Sequence, residues 1–132
     1  MFGQETFRRA EREALEDVLR NQRHFVMATS GSIVTDPGTM ELLLTSCFTV
    51  WVRAEPEDHM RRVMEQGDRR PMANSARAMQ DLVAILKSRE PLYARANAVV
   101  DTARLSVEAA AARLSDAVAP VIDSEARMFA RG

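Results

Sequence analysis

Hydrophobic and polar positions alternate with two different periods along this chain. From Glu5 to Arg20, apolar Phe7, Ala10, Ala14, Leu15 and Val18 recur at helical spacing with charges between them, which predicts a helix. His24–Ala28 (HFVMA) is a short apolar run that reads as a strand, and Thr29–Val34 follows as a loop of small residues. Asp36-Pro37 starts a helix that runs to about Ser46, because Asp suits the N-cap and Pro the first helical position. Phe48–Val52 (FTVWV) is the clearest strand; a β-branched and aromatic run apolar on both faces suits a buried parallel sheet. Pro56 opens a helix ending near Gly67, and Gly67–Asn74 is a polar, punctuated loop. Ala76 to about Ala96 is helical with a step at Pro91, and Ala98–Thr102 is a third short strand. Ser106 caps an alanine-rich helix to about Ala119, where Pro120 interrupts; the last residues form either a further helix or a loose tail.

Strands alternating with helices predict an α/β fold with a parallel sheet of about three strands. Residues 1–119 form the domain and 120–132 a C-terminal extension. Three strands are few for a sheet that hides both faces, so part of the sheet is expected to be missing.

Composition narrows the function classes. Apolar residues make up 46% and charged residues 28%, and the net charge of -1 gives no general attraction to nucleic acid or anionic membrane. No stretch approaches the roughly 18 apolar residues of a membrane helix. With no export signal and one cysteine, Cys47, a cytoplasmic setting is expected. Lys87 is the only lysine beside many arginines. Arg-favouring codon usage accounts for this, and so does a surplus of anion-binding side chains. His24, His59 and Cys47 lack metal-ligand spacing, and no Ser-His-Asp or Cys-His set can be argued, so no metal site is expected. Read as residues alone, Arg8 and Glu11 fit an exposed charged helix face with Arg9, Arg12, Glu13 and Glu16.

Six blocks in order change that picture. They are Phe7-Arg8 with Glu11, Ala28-Thr29-Ser30-Gly31-Ser32, Val50-Trp51-Val52-Arg53-Ala54-Glu55-Pro56, Arg70-Pro71-Met72, Arg89-Glu90-Pro91-Leu92-Tyr93 and Val100-Asp101-Thr102. Together they resemble shikimate kinases over about 100 residues. Within that group, Leu42-Leu43-Leu44, Cys47, Thr49-Val50-Trp51, Pro56–Met60, Gly67-Asp68, Arg70–Ala73, and Ala78-Met79 with Asp81-Leu82 look like the C-terminal domain of BoxR/BzdR-type regulators. Those transcription factors join a helix-turn-helix domain to a shikimate-kinase-like domain that senses benzoyl-CoA or a related thioester.

The resemblance implies a partial P-loop-kinase fold and a set of site residues. Arg8 matches the substrate-carboxylate arginine, with Glu11 placed to orient it. Gly31 matches the middle glycine of a substrate loop whose flanking glycines are here Ser30 and Ser32; serine disfavours positive φ, so the loop is expected to have changed shape. Arg89 matches a second substrate arginine, Arg70 the lid arginine that meets phosphate, and Arg104, weakly, a nucleotide contact. The family's Gly-x-x-x-x-Gly-Lys-Ser/Thr loop, which cradles phosphates and holds Mg²⁺, occurs nowhere in these residues. ATP and Mg²⁺ are therefore expected only if a P-loop-bearing half is supplied, and the chain alone is expected to have no catalytic residue.

Two readings follow from the resemblance. One is the effector-sensing part of a BoxR-like regulator of aromatic degradation, binding an acyl-CoA without contacting DNA directly. The other is a truncated shikimate kinase, inactive without its P-loop. Either way a sheet lacking its central strand leaves backbone groups unpaired, at roughly 1–3 kcal/mol each. That predicts poor stability, a homodimer, or a partner chain completing the sheet.

Overall fold

The computed structural model describes the backbone over residues 2–65 and 75–131 and the side chains over 3–61 and 76–122. It divides into two compact units, Met1–Thr49 and Val50–Gly132.

In the first unit, helix α1 spans Phe2–Asn21, a 3-10 turn spans Gly31–Thr35 and helix α2 spans Pro37–Ser46. The stripe of α1 expected from the sequence supplies Leu15, which is 1% exposed. The 3-10 turn buries Ile33 and Val34, and α2 buries Thr39 and Met40. Asp36 caps α2: its carboxylate accepts from the Gly38 backbone N–H at 3.2 Å and from Thr39 Oγ1 at 2.9 Å. Pro37 sits at the first helical position, where a missing N–H costs nothing. The thiol of Cys47, at the end of α2, is pushed above its ordinary pKa by burial.

The run His24–Ala28 is not a strand. Its Val26 is fully exposed. Apolar residues alone do not make a strand; the backbone must find a ladder. Among the described residues the sheet pairs two strands and no third.

The second unit contains strand β1 (Val50–Arg53), helix α3 (Pro56–Glu65), helix α4 (Ser75–Tyr93), strand β2 (Ala98–Asp101) and helix α5 (Val107–Arg131). The two strands pair in parallel with Val50 opposite Ala98 and Arg53 opposite Asp101. Thr102 extends the ladder by one residue: its N–H reaches the Arg53 carbonyl at 2.9 Å and its hydroxyl donates to the same oxygen at 2.7 Å. The fold is thus α/β with a short parallel sheet and flanking helices, consistent with a partial P-loop-kinase fold. Its coverage is uneven. Val100 is 5% exposed, whereas Val52 and Val99 are each 52% exposed.

Neither proline ends its helix. Pro91 lies inside α4 and Pro120 inside α5, which continues to Arg131. Each costs a backbone hydrogen bond four residues back. For α5 the alanine-rich stretch before Pro120 carries strong helix propensity. Ser106 caps α5, its Oγ accepting from the Ala109 N–H at 3.1 Å.

Candidate functional site

The polar cluster of the first unit joins two residues of α1 to the turn at 30–35. Arg8 and Glu11 lie three residues apart on α1, so both present to the same side. Arg8 Nη2 donates to Thr35 Oγ1 at 3.3 Å. Ser30 Oγ donates to Glu11 Oε2 at 2.6 Å, the length of a hydroxyl bonding to a carboxylate. Ser30 Oγ and Ser32 Oγ lie 3.0 Å apart, and Thr35 Oγ1 donates to the Ser32 carbonyl at 2.7 Å.

A hydroxyl has a single hydrogen to give, and this sets the direction of every bond in the cluster. Ser30 spends its hydrogen on Glu11, so Ser32 is the donor in the Ser30–Ser32 pair. Thr35 spends its hydrogen on the Ser32 carbonyl, so its oxygen faces Arg8 as an acceptor. The exposed Arg8 guanidinium has five N–H donors and gives one of them to Thr35. Its planar fork suits an oxyanion such as a carboxylate.

The remaining expected residues fall as follows. Glu11, expected to orient Arg8, has Ser30 as its partner. Gly31 opens the 3-10 turn between the two serines. Ser30 has φ -68° and ψ 152°, ordinary extended backbone, so serine sits there without the strain a left-handed position would impose. Arg89 is half-buried on α4, and Arg104 follows β2 with φ 60°, the left-handed region; both belong to the second unit. Arg70 lies outside the described residues.

Sequence reasoning did not single out Arg53. Its guanidinium lies 5.8 Å from the centroid of the Trp51 ring, and that ring stacks on Tyr93 at 5.5 Å. Arg53 also approaches Glu90 at 3.7 Å and Asp101 at 4.0 Å. These ion pairs are half-exposed, so each contributes at most about 1 kcal/mol. Alternation along β1 was the available signal, since Trp51 and Arg53 share a face. Thr35 was also missed; no pattern rule predicts that a hydroxyl 27 residues on meets Arg8.

Among the described residues, no group of three or more His, Cys, Asp or Glu is placed to hold a metal ion. Among them, too, no helix is long and apolar enough to cross a membrane.

Comparison with known proteins supplies the family. The model of the family described as "SKI: Shikimate kinase" matches residues 1–119. Among curated proteins, the chain is 29% identical over 124 residues to a shikimate kinase of Paramagnetospirillum magneticum, covering 94% of this chain and 63% of that protein. It is 33% identical over 122 residues to a shikimate kinase of Moorella thermoacetica, covering 92% of this chain and 69% of that one. It is 33% identical over 101 residues to a shikimate kinase of Francisella tularensis subsp. holarctica, covering 76% of this chain and 57% of that one. The chain thus spans about three fifths of the length of these relatives. No solved structure matches it.

These findings overturn the expectation of a BoxR-type effector sensor for benzoyl-CoA, because the relatives carry the name shikimate kinase and the matching model is that of the kinase. The physical reason is in the residues that prompted it. Gly67-Asp68 and Arg70–Ala73 lie outside the described residues; Leu42–Leu44, Val50–Trp51, Pro56–Met60, Ala78-Met79 and Asp81-Leu82 lie in α2, β1, α3 and α4. The latter are scaffold positions that a shared fold requires, and they do not specify a ligand. The described elements and the match over residues 1–119 agree: the chain belongs to the shikimate kinase family.

Proposed function

We propose that this chain is the shikimate-binding portion of a shikimate kinase and acts in transfer of a phosphoryl group from ATP to shikimate when a phosphate-binding loop is supplied. The observation that carries this reading is the exposed Arg8 guanidinium beside the hydroxyl-lined 30–35 turn. Shikimate is a small ring with one carboxylate and several hydroxyls. A guanidinium fork takes the carboxylate through paired, charge-assisted bonds. The backbone at Gly31 and the hydroxyl oxygen of Ser32 are suited to its hydroxyls. Arg89 is proposed as a second anion contact, and Arg70 and Arg104 as contacts to transferred phosphate and nucleotide.

ATP and Mg²⁺ are a separate matter. The residues described here build no metal-holding cluster, and the sequence has no Gly-x-x-x-x-Gly-Lys-Ser/Thr loop to cradle phosphates. ATP and Mg²⁺ are therefore assigned to the phosphate-binding loop that is supplied, with Arg70 and Arg104 as the contacts this chain adds.

Isothermal titration of the purified 132-residue chain with shikimate, with and without Arg8→Ala, tests the reading. Saturable binding that weakens tenfold or more in Arg8→Ala is expected, equivalent to about 1.4 kcal/mol or more. Absence of binding, or equal binding by both proteins, refutes it.

A further inference from the structure

We infer that Thr35 is a positioning residue for Arg8 and that it sets the direction in which the guanidinium is presented to a carboxylate ligand. The inference rests on the proposed shikimate-binding role of Arg8.

Three observations carry it. Thr35 Oγ1 is the hydrogen-bond partner of Arg8 Nη2. The same hydroxyl donates to the Ser32 carbonyl at 2.7 Å, so its hydrogen points away from Arg8 and a lone pair points toward it. Thr35 is half-buried within the turn that also buries Ile33 and Val34, which gives the hydroxyl a fixed base. An arginine on a helix surface otherwise loses substantial rotamer freedom when it binds, which opposes affinity. An acceptor anchored at one Nη removes part of that cost in advance and leaves the other edge of the fork free for a ligand.

The bonds also join the two ends of the turn to α1. Ser30 ties the start of the turn to Glu11, and Thr35 ties its end to Arg8. The turn carrying Gly31 is thereby stapled to the helix that carries the guanidinium. Thr35 is polar, but its place in this staple follows from three-dimensional packing and not from any motif.

The test uses the full 132-residue chain, with shikimate as the probe and four variants: Thr35→Val, Thr35→Ser, Arg8→Gln, and Arg8→Gln with Thr35→Val. Thr35→Val keeps the shape and removes the hydroxyl; it is expected to weaken shikimate binding five- to tenfold. Thr35→Ser keeps the hydroxyl and is expected to bind within twofold of the parent. In the Arg8→Gln background, Thr35→Val is expected to add less than twofold, because the threonine acts through the arginine. A general loosening of the turn would lower binding in both backgrounds, and that result overturns the inference. So does equal loss in Thr35→Ser and Thr35→Val.

A second readout separates this inference from the reading beneath it. Nitrogen NMR of the Arg8 guanidinium reports rotation about its terminal C–N bonds without any ligand. Faster rotation in Thr35→Val than in the parent is expected. If the parent fails to bind shikimate, the proposed function falls, and the rotation rate alone decides the positioning claim. An unchanged rate then overturns it.

Discussion

Single hydroxyls decide much of the chemistry of the first unit. Thr39 and Asp36 show this most simply. The Thr39 hydroxyl bond, helped by the N–H groups of Thr39 and Gly38 and by the nearby Arg12 charge, holds the Asp36 carboxyl below its ordinary pKa of 3.8 against a smaller opposing effect of burial. A depressed folded pKa means stabilisation that is present above the unfolded value and lost as pH falls through the folded one. The melting temperature of the parent is therefore expected to drop below about pH 4. Thr39→Val removes the largest cause of the depression, so the gap in melting temperature between parent and variant should be wide at pH 6 and narrow at pH 3. A constant gap across that range would show that the Thr39–Asp36 bond has no linkage to folding. Cys47 gives a second residue-scale expectation. Its thiol is raised by burial, so less thiolate is present at neutral pH. Alkylation by iodoacetamide at pH 7 should run slower than for an unstructured peptide thiol, and should match the peptide once the chain is unfolded in urea.

Helices and strands differ in how far the sequence reveals them. The helix α1 was legible because Ala14, Leu15 and Val18 repeat at its period, and Leu15 duly enters the core. The start of α2 was legible because Asp36-Pro37 is a cap chemistry with one structural meaning. Strands are less legible than helices for a physical reason. A short apolar run records hydrophobicity but not its ladder partner: the expected strand Phe48–Val52 is observed as Val50–Arg53 with Phe48 and Thr49 left outside it, Ala98–Thr102 as Ala98–Asp101, and His24–Ala28 forms none. The expected interruption at Pro120 is not seen, since a proline removes one hydrogen bond but does not prevent the flanking turns from forming, whereas the helix expected through Pro91 does run through it. At the candidate site the charged residues were legible from motif order, whereas Thr35 and Arg53 depend on contacts 27 and 37 positions away in sequence. Sheet burial is testable at this scale. Val100→Ala, at a buried strand position, should cost about 2 kcal/mol in urea unfolding, while Val52→Ala on the exposed position should cost less than about 0.5 kcal/mol. Ser106→Ala, which removes the cap of α5, should cost about 1 kcal/mol. Equal effects of the two valine substitutions would mean that strand burial is not as described.

The whole molecule raises a question of sufficiency. Phosphoryl transfer is mainly positioning and electrostatic stabilisation, and it needs donors around the transferred group. On the proposed reading this chain supplies Arg8 for a carboxylate and the 30–35 turn for a hydroxylated ring, and its sequence contains no Gly-x-x-x-x-Gly-Lys-Ser/Thr motif. Its relatives are longer by roughly a third of their own length. On the proposed function, the chemistry divides between what this chain carries and what that additional length carries. A chimera makes the division measurable. The portion of the Moorella thermoacetica shikimate kinase that this chain does not match would be fused to residues 1–132. The 132 residues alone, given ATP, Mg²⁺ and shikimate, should form no phosphorylated shikimate above a blank. The fusion should form it, and Arg8→Ala in the fusion should lower kcat/KM at least tenfold, chiefly through KM, since a carboxylate contact distant from the transferred phosphoryl acts mostly in binding. A fusion that folds cooperatively yet stays inactive would place the defect within this chain's own site, with Ser30 and Ser32 the first residues to change to glycine. Activity in the fusion that ignored Arg8 would instead keep the kinase reading and remove this arginine from its substrate site.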